Sequence, residues 1–202
     1  MQWLQHSNLI GKHAILGASK YHWIRYSDDK IALAYKKFRD IQEGTELHEL
    51  ASMCIKKHMK VEDIPKTINM FINDAIGFHM KSEQILVYSE NCFGTTDAIC
   101  FRNNVLRIHD LKTGEVKAHM EQLMIYAALF CLEYKQKPGE IKIILRIYQN
   151  DEIVELEPDV DDIVHIMDRI VKSDKIISAL KEQENWNGRF RINALWNKIP
   201  FW

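Results

Sequence analysis

Asp97, Asp110 and Lys112 are the residues whose types and spacing suit chemistry. Residues 105–111 read as a strand, short, rich in β-formers and bounded by turn signals. Strand alternation puts Leu106, Ile108, Asp110 and Lys112 on one face and Val105, Arg107, His109 and Leu111 on the other. A carboxylate and an ammonium therefore end a core-facing row, where unpaired charge is costly. In the preceding strand Phe93, Thr95, Asp97, Ile99 and Phe101 share a face, with Asp97 its lone charge. If the two strands pair, Asp97 and Asp110 meet. Two carboxylates at one point repel unless a cation lies between them. Hard oxygen donors favour Mg²⁺ or Mn²⁺. Phosphodiester hydrolysis needs such parts: a metal to polarise the phosphoryl oxygen and activate water, and a lysine to orient that water or stabilise developing charge. The same residues also suit a structural Asp–Lys pair beside a capped or solvated Asp97, and an Asp-x-Lys triplet is common by chance.

The elements that must position these residues follow from periodicity. Apolar residues at helical spacing predict a helix over 28–40, a second opened by Gly44-Thr45, and a third over about 65–80. Three strands follow at 85–88, 92–101 and 105–111, antiparallel, with Asn103-Asn104 as a hairpin turn. Met120, Leu123, Met124, Ala127, Ala128 and Cys131 form the stripe of another helix, ended by Pro138-Gly139. A strand at 141–148 pairs with one at 153–156 across Asn150-Asp151, and a last helix covers 160–183. This order predicts an α/β sandwich with a mixed central sheet flanked by helices. We read one domain: a helical part at 1–83, a sheet core at 84–158, and a helix with a tail at 159–202.

Several short motifs in this order resemble one family. Gly44-Thr45-Glu46-Leu47-His48, Gly94-Thr95-Thr96-Asp97, Asp110-Leu111-Lys112-Thr113-Gly114 and Gln122-Leu123-Met124-Ile125-Tyr126 are similar to the motifs of the RecB-type, phage-exonuclease-like branch of the PD-(D/E)xK nucleases. Leu16-Gly17-Ala18-Ser19-Lys20 also resembles that branch's opening segment. The likeness covers about residues 16 to 150. It implies a restriction-endonuclease-like core of order α-β-β-β-α-β. It implies His48, Asp97, Asp110 and the Leu111 carbonyl as metal ligands, and Lys112 as the catalytic lysine. Gln122 and Tyr126, four apart on one helix face, would support the site and touch DNA. Glu90 would be an auxiliary acid. The implied cofactor is Mg²⁺ or Mn²⁺. With no cysteine after Cys131, an iron–sulfur cluster is not expected. The implied activity is DNA cleavage, from ends rather than internally, in recombination, repair or phage DNA processing. The setting would be a bacterial or phage-infected cytoplasm. DNA would be the partner, with a homo-oligomer or a recombination protein beside it, and no membrane.

Taken singly, the motif residues have plainer readings: His48 as an edge-of-core histidine, Gln122 and Tyr126 as helix surface, and Thr113-Gly114 as a turn. His109 points away from Asp110 and is not counted as a ligand. A net charge of −1 means that any attraction to phosphate must be local. Lys36, Lys37 and Arg39, and Lys56, Lys57 and Lys60, form basic groups that suit solvated helix faces or a DNA path. In the tail, Trp186, Trp196 and Trp202 with Arg189, Arg191 and Lys198 suit packing more than stacking on bases. Cys54, Cys92, Cys100 and Cys131 form no C-x-x-C pair and read as reduced core cysteines. No stretch reaches the roughly 20 apolar residues of a membrane span, and residues 1–15 do not read as a signal peptide. No Walker motif is present, so a motor would have to be borrowed. Competing functions are a non-catalytic nucleic-acid or protein-binding module on the same fold, and a sequence-specific endonuclease.

Overall fold

The computed structural model describes Ser7, residues 14–114 and residues 116–196, with side chains through Glu184. The expected roles of the tail tryptophans and their basic neighbours therefore lie outside the described residues. The chain divides into two compact units, Met1–Leu47 and His48–Trp202. In the first, a 3₁₀ segment at Ala18–Arg25 holds most of the expected opening motif. The Trp23 indole N–H donates to the Gly17 carbonyl at 3.1 Å.

Helix α1 spans Asp28–Lys56 without interruption. This corrects the expectation of two helices parted at Gly44-Thr45. Glycine inside a helix costs about 1 kcal/mol against alanine, too little to end one of this length. The Thr45 hydroxyl donates to the Ile41 carbonyl one turn back at 3.0 Å, so it stays within the helix rather than capping a new one. Helix α2 covers Thr67–Gly77.

Five strands form one mixed sheet in the order β1-β2-β3-β4-β5. They are β1 (Lys81–Ser89), β2 (Cys92–Arg102), β3 (Val105–Leu111), β4 (Lys142–Gln149) and β5 (Glu152–Leu156). The first three pair antiparallel, β3 and β4 pair parallel, and β5 returns antiparallel on β4. Asn103-Asn104 and Asn150-Asp151 turn their hairpins with φ of 50° and 58°, and of 53° and 61°. Two successive positive φ values suit the right-handed twist of flanking strands, and Asn and Asp tolerate them. Helix α3 (Glu121–Glu133) makes the crossover that a parallel pair requires. Helix α4 spans Val160–Trp196. The order α-β-β-β-α-β and the mixed sheet agree with the expected architecture.

Both faces of the sheet are covered. On one, Leu86, Ile99, Leu106, Ile108 and Leu145 pack with Leu123, Ala127 and Ala128 of α3 and Ile163 of α4. On the other, Ala98, Leu111 and Tyr148 pack with Phe71, Ile72 and Ala75 of α2 and Ala51 and Ile55 of α1. Each fully buried Leu or Ile contributes about 1.5–3 kcal/mol, which fixes the register of β3 and with it the direction of Asp110. Cys54 and Cys131 are buried and all four thiols are free.

His109 points to the α2 face. It is fully buried, with Nδ1 3.1 Å from the Tyr148 hydroxyl. That hydroxyl donates to Asp74 at 2.6 Å, and Arg146 pairs with the same carboxylate at 2.9 Å. Burial, and after it the charges of Arg146 and Arg107, pull the imidazole down to about 3. The folded protein therefore holds a neutral His109, whereas the unfolded chain titrates it near 6.5. This contribution to stability is whole above the unfolded value and is lost as pH falls towards the folded one. Near pH 4.5 the loss reaches about 2–3 kcal/mol. Urea unfolding at neutral pH and near pH 4.5 should show a drop in His109→Gln smaller than wild type by about that amount. Equal drops would mean that another group senses the acid.

Candidate metal-binding site

The site forms where the sheet opens. The β2–β3 ladder runs from Arg102↔Val105 to Ala98↔His109 and stops there. Asp97 and Asp110 are the first residues past its end, so their side chains flank the fork. On the other side of β2, Ser82↔Ala98 and Gln84↔Thr96 are paired, but Glu83 and Asp97 between them are not. Glu83 has φ 53°, a left-handed conformation in mid-strand.

That kink changes which way β2 faces. The expectation that Phe93, Thr95, Asp97, Ile99 and Phe101 share a face is corrected. Ile99 packs in the α3 core, whereas Phe93 is 63% exposed and Gly94 instead lies against Tyr126 of α3. A left-handed residue breaks the two-residue alternation, and the faces swap across Glu83 and Asp97. Both carboxylates are thereby directed towards His48 on α1. Donor atoms of His48, Glu83 and Asp97 lie within 4.8 Å of one another.

Asp97 is the hub. Its Oδ2 accepts the Leu111 N–H at 2.8 Å and lies 3.4 Å from His48 Nδ1. In extended backbone the N–H and C=O of one residue point to the same side. The Leu111 carbonyl therefore faces this fork too. Asp110 is 3% exposed, and its Oδ2 lies 2.8 Å from Lys112 Nζ. The approach is oblique, so this buried oxygen has an ion-pair partner but no aligned hydrogen bond. Lys112 Nζ donates to Gln122 Oε1 at 2.9 Å, and Gln122 Nε2 donates to the Tyr126 hydroxyl at 3.0 Å. The Tyr126 ring fits because residue 94 is glycine: a Cβ there would sit 2.7 Å from Cε1. After Lys112 the loop is tied to β4 by Gln149, which binds the Gly114 and Val116 carbonyls and the Ala118 N–H.

The charges are arranged at a cost. Burial, and after it the charge of Asp97, pushes the Asp110 carboxyl up to about 6. Burial and then Asp97 also raise Glu83. His48 is held above its ordinary range, chiefly by hydrogen bonding to Asp97. Negative charge is thus disfavoured among the carboxylates that crowd the fork, and a divalent cation would relieve it. The donors fit one. Carboxylate oxygens, a backbone carbonyl and one imidazole suit Mn²⁺, and Mg²⁺ with retained waters.

Among the expected site residues, the fold brings together His48, Asp97, Asp110, Leu111, Lys112, Gln122 and Tyr126. Glu90 is a correction. It lies in the turn of the β1–β2 hairpin and pairs with Lys181 of α4 at 3.0 Å. Six residues of strand separate it from Gln84, about 20 Å. The acid that reaches Asp97 is Glu83, which sequence reasoning missed.

Glu83 carries the strain of the kink. Left-handed φ costs a non-glycine residue about 1–2 kcal/mol. Glu83→Gly should therefore unfold in urea at least about 1 kcal/mol harder than Glu83→Ala, although both lose the carboxylate and any metal affinity it confers. A Gly variant weaker than the Ala variant would mean that the backbone here is relaxed.

Residues 76–191 match the family described as protein of unknown function, DUF2800. The match spans more than half of the chain, and the chain belongs to that family. It takes in every member of the cluster except His48. No curated protein matches the chain, and neither does any solved structure.

Proposed function

We propose that this member of the DUF2800 family is a Mg²⁺- or Mn²⁺-dependent deoxyribonuclease that hydrolyses phosphodiester bonds. The observation that carries the reading is the convergence at the β2–β3 fork. Three potential ligands, His48, Glu83 and Asp97, meet beside a buried Asp110 whose lysine is tethered to α3. A structural Asp–Lys pair would explain Lys112, but not the inward turn of Glu83 and Asp97 onto a histidine. The motif order, similar to RecB-type nucleases, supports the same reading and suggests cutting from ends.

Each residue has a part in this reading. His48, Glu83, Asp97, Asp110 and the Leu111 carbonyl would hold the cation. When bound, it supplies Lewis acidity and lowers the pKa of water. Lys112 has three N–H donors, one given to Gln122, and its ammonium is ion-paired with Asp110. A remaining N–H is available to a phosphoryl oxygen or the attacking water. Gln122 and Tyr126 are positioning residues that fix where that ammonium sits.

The test uses end-labelled linear DNA and closed circular DNA, each with Mg²⁺, Mn²⁺ or EDTA. Metal-dependent loss of linear DNA alone is expected. Cutting of circles as well would make the enzyme an endonuclease. Intact DNA throughout, with well-folded and metal-loaded protein, would sink the nuclease reading and favour a binding module.

A further inference from the structure

A cavity of about 280 Å³ opens on the α3 side of the sheet. Three aromatic rings form its apolar wall. Phe101 of β2 lies 5.2 Å from Phe130 of α3, and Phe130 lies 4.8 Å from Tyr134, ring centre to ring centre. Phe130 is 6% exposed and anchors the row, whereas Phe101 and Tyr134 are exposed. Lys81, Arg102 and the Gln84 amide stand among the lining residues, and no acidic side chain lines the cavity. Neither cation is ion-paired among the described residues.

Exposed rings beside unpaired cations are a poor way to finish a protein surface. They are a good way to hold a nucleotide. Any base can stack on an aromatic face, while Lys and Arg take the phosphates. The cavity's position agrees with that use. From Asp97 to Phe101 is four strand residues, about 13 Å. From Gln122 to Phe130 is eight helix residues, about 12 Å. The cavity thus shares the α3 side with Lys112, within the span of a few nucleotides of a single strand.

We infer that this cavity binds an unpaired base of a DNA strand engaged at the fork, so that the protein prefers single-stranded DNA or frayed ends to intact duplex. Phe101 and Tyr134 stack the base, Lys81 and Arg102 hold the flanking phosphates, and the Gln84 amide meets the base edge. The inference rests on the nuclease reading for its substrate. Binding, however, needs neither metal nor cleavage.

The experiment is fluorescence anisotropy in EDTA, using a labelled oligo-dT of about 15 nucleotides. A duplex and an RNA of equal length run beside it. Tyr134→Ala and Phe101→Leu remove the rings, the second keeping apolar bulk so that the core survives. Arg102→Ala removes one cation. Wild type should bind the single strand at least fivefold more tightly than the duplex. Each ring variant should lose at least fivefold, and Arg102→Ala should lower the salt slope by about one. Ring variants with unchanged affinity and unchanged melting would overturn the proposal. So would equal affinity for duplex, or tighter binding of RNA than of DNA. A protein that binds as expected but cuts nothing would retain this site and lose the nuclease reading. One that cuts but shows no effect of Phe101 or Tyr134 would do the reverse.

Discussion

Lys112→Ala should reduce the rate of DNA cleavage by about 10²–10⁴-fold, the range over which a positioned proton-transfer group or transition-state cation acts. The variant should still fold. Lys112 is the ion-pair partner of a buried Asp110, but that carboxyl already sits at about 6 and takes up a proton readily once the ammonium is gone. The damage should then fade along the chain of contacts. Gln122→Ala removes the acceptor that orients Lys112, leaving the charge present but loose, and should cost roughly 10-fold. Tyr126→Phe removes only the hydroxyl that orients Gln122, and should cost a few-fold at most. Single-turnover rates with saturating Mn²⁺ measure all three. A flat series, with Lys112→Ala within a few-fold of wild type, would place catalysis elsewhere and leave Lys112 as a structural partner of Asp110.

That graded chain was mostly legible in the sequence, and the reason is geometric. Lys112 follows Asp110 by two, so the pleat puts them on one face. Gln122 and Tyr126 are four apart, so the helix stacks them. The parity of β3 is guaranteed by Leu106 and Ile108, whose burial leaves one register worth adopting. Glu83 was not legible, and its case shows where such reasoning stops. A plain two-residue turn at Glu90-Asn91 would put Gln84 opposite Asp97. The hairpin instead shifts by one residue between Val87 and Ser89, which puts Glu83 there. No Gly or Pro marks that bulge, and none marks the left-handed residue itself. Glutamate, unlike Gly, Asn or Asp, is uncommon at the φ of 53° that Glu83 adopts. A local rule broken in mid-strand, at the point where carboxylates gather, is how strain at a functional site presents itself. The continuous α1 failed for the opposite reason. Gly44 looked like punctuation, but a single weak residue yields to the helix on either side of it.

Asp97→Asn should abolish metal binding without harming the metal-free fold, and this pairing of outcomes separates a ligand from a structural aspartate. The Leu111 N–H needs one oxygen acceptor at residue 97, and the amide oxygen of asparagine supplies it. The substitution removes the negative charge and leaves a neutral amide oxygen already engaged by that N–H, a much poorer donor to a hard divalent cation. In the metal-free protein the substitution also removes the charge that helps to raise Asp110 and Glu83. Loss of that repulsion offsets the loss of the His48 contact. Melting in EDTA should therefore be unchanged or higher in the variant. In Mn²⁺ at about 100 times its Kd, wild type gains about 2.7 kcal/mol, a rise of roughly 5–10 °C for a chain of this size. The variant should show no rise. A structural aspartate would give the converse pattern, a drop of several degrees in EDTA and the same metal response as wild type. If a bound cation relieves the repulsion among Glu83, Asp97 and Asp110, the sign of the EDTA shift reports that repulsion directly.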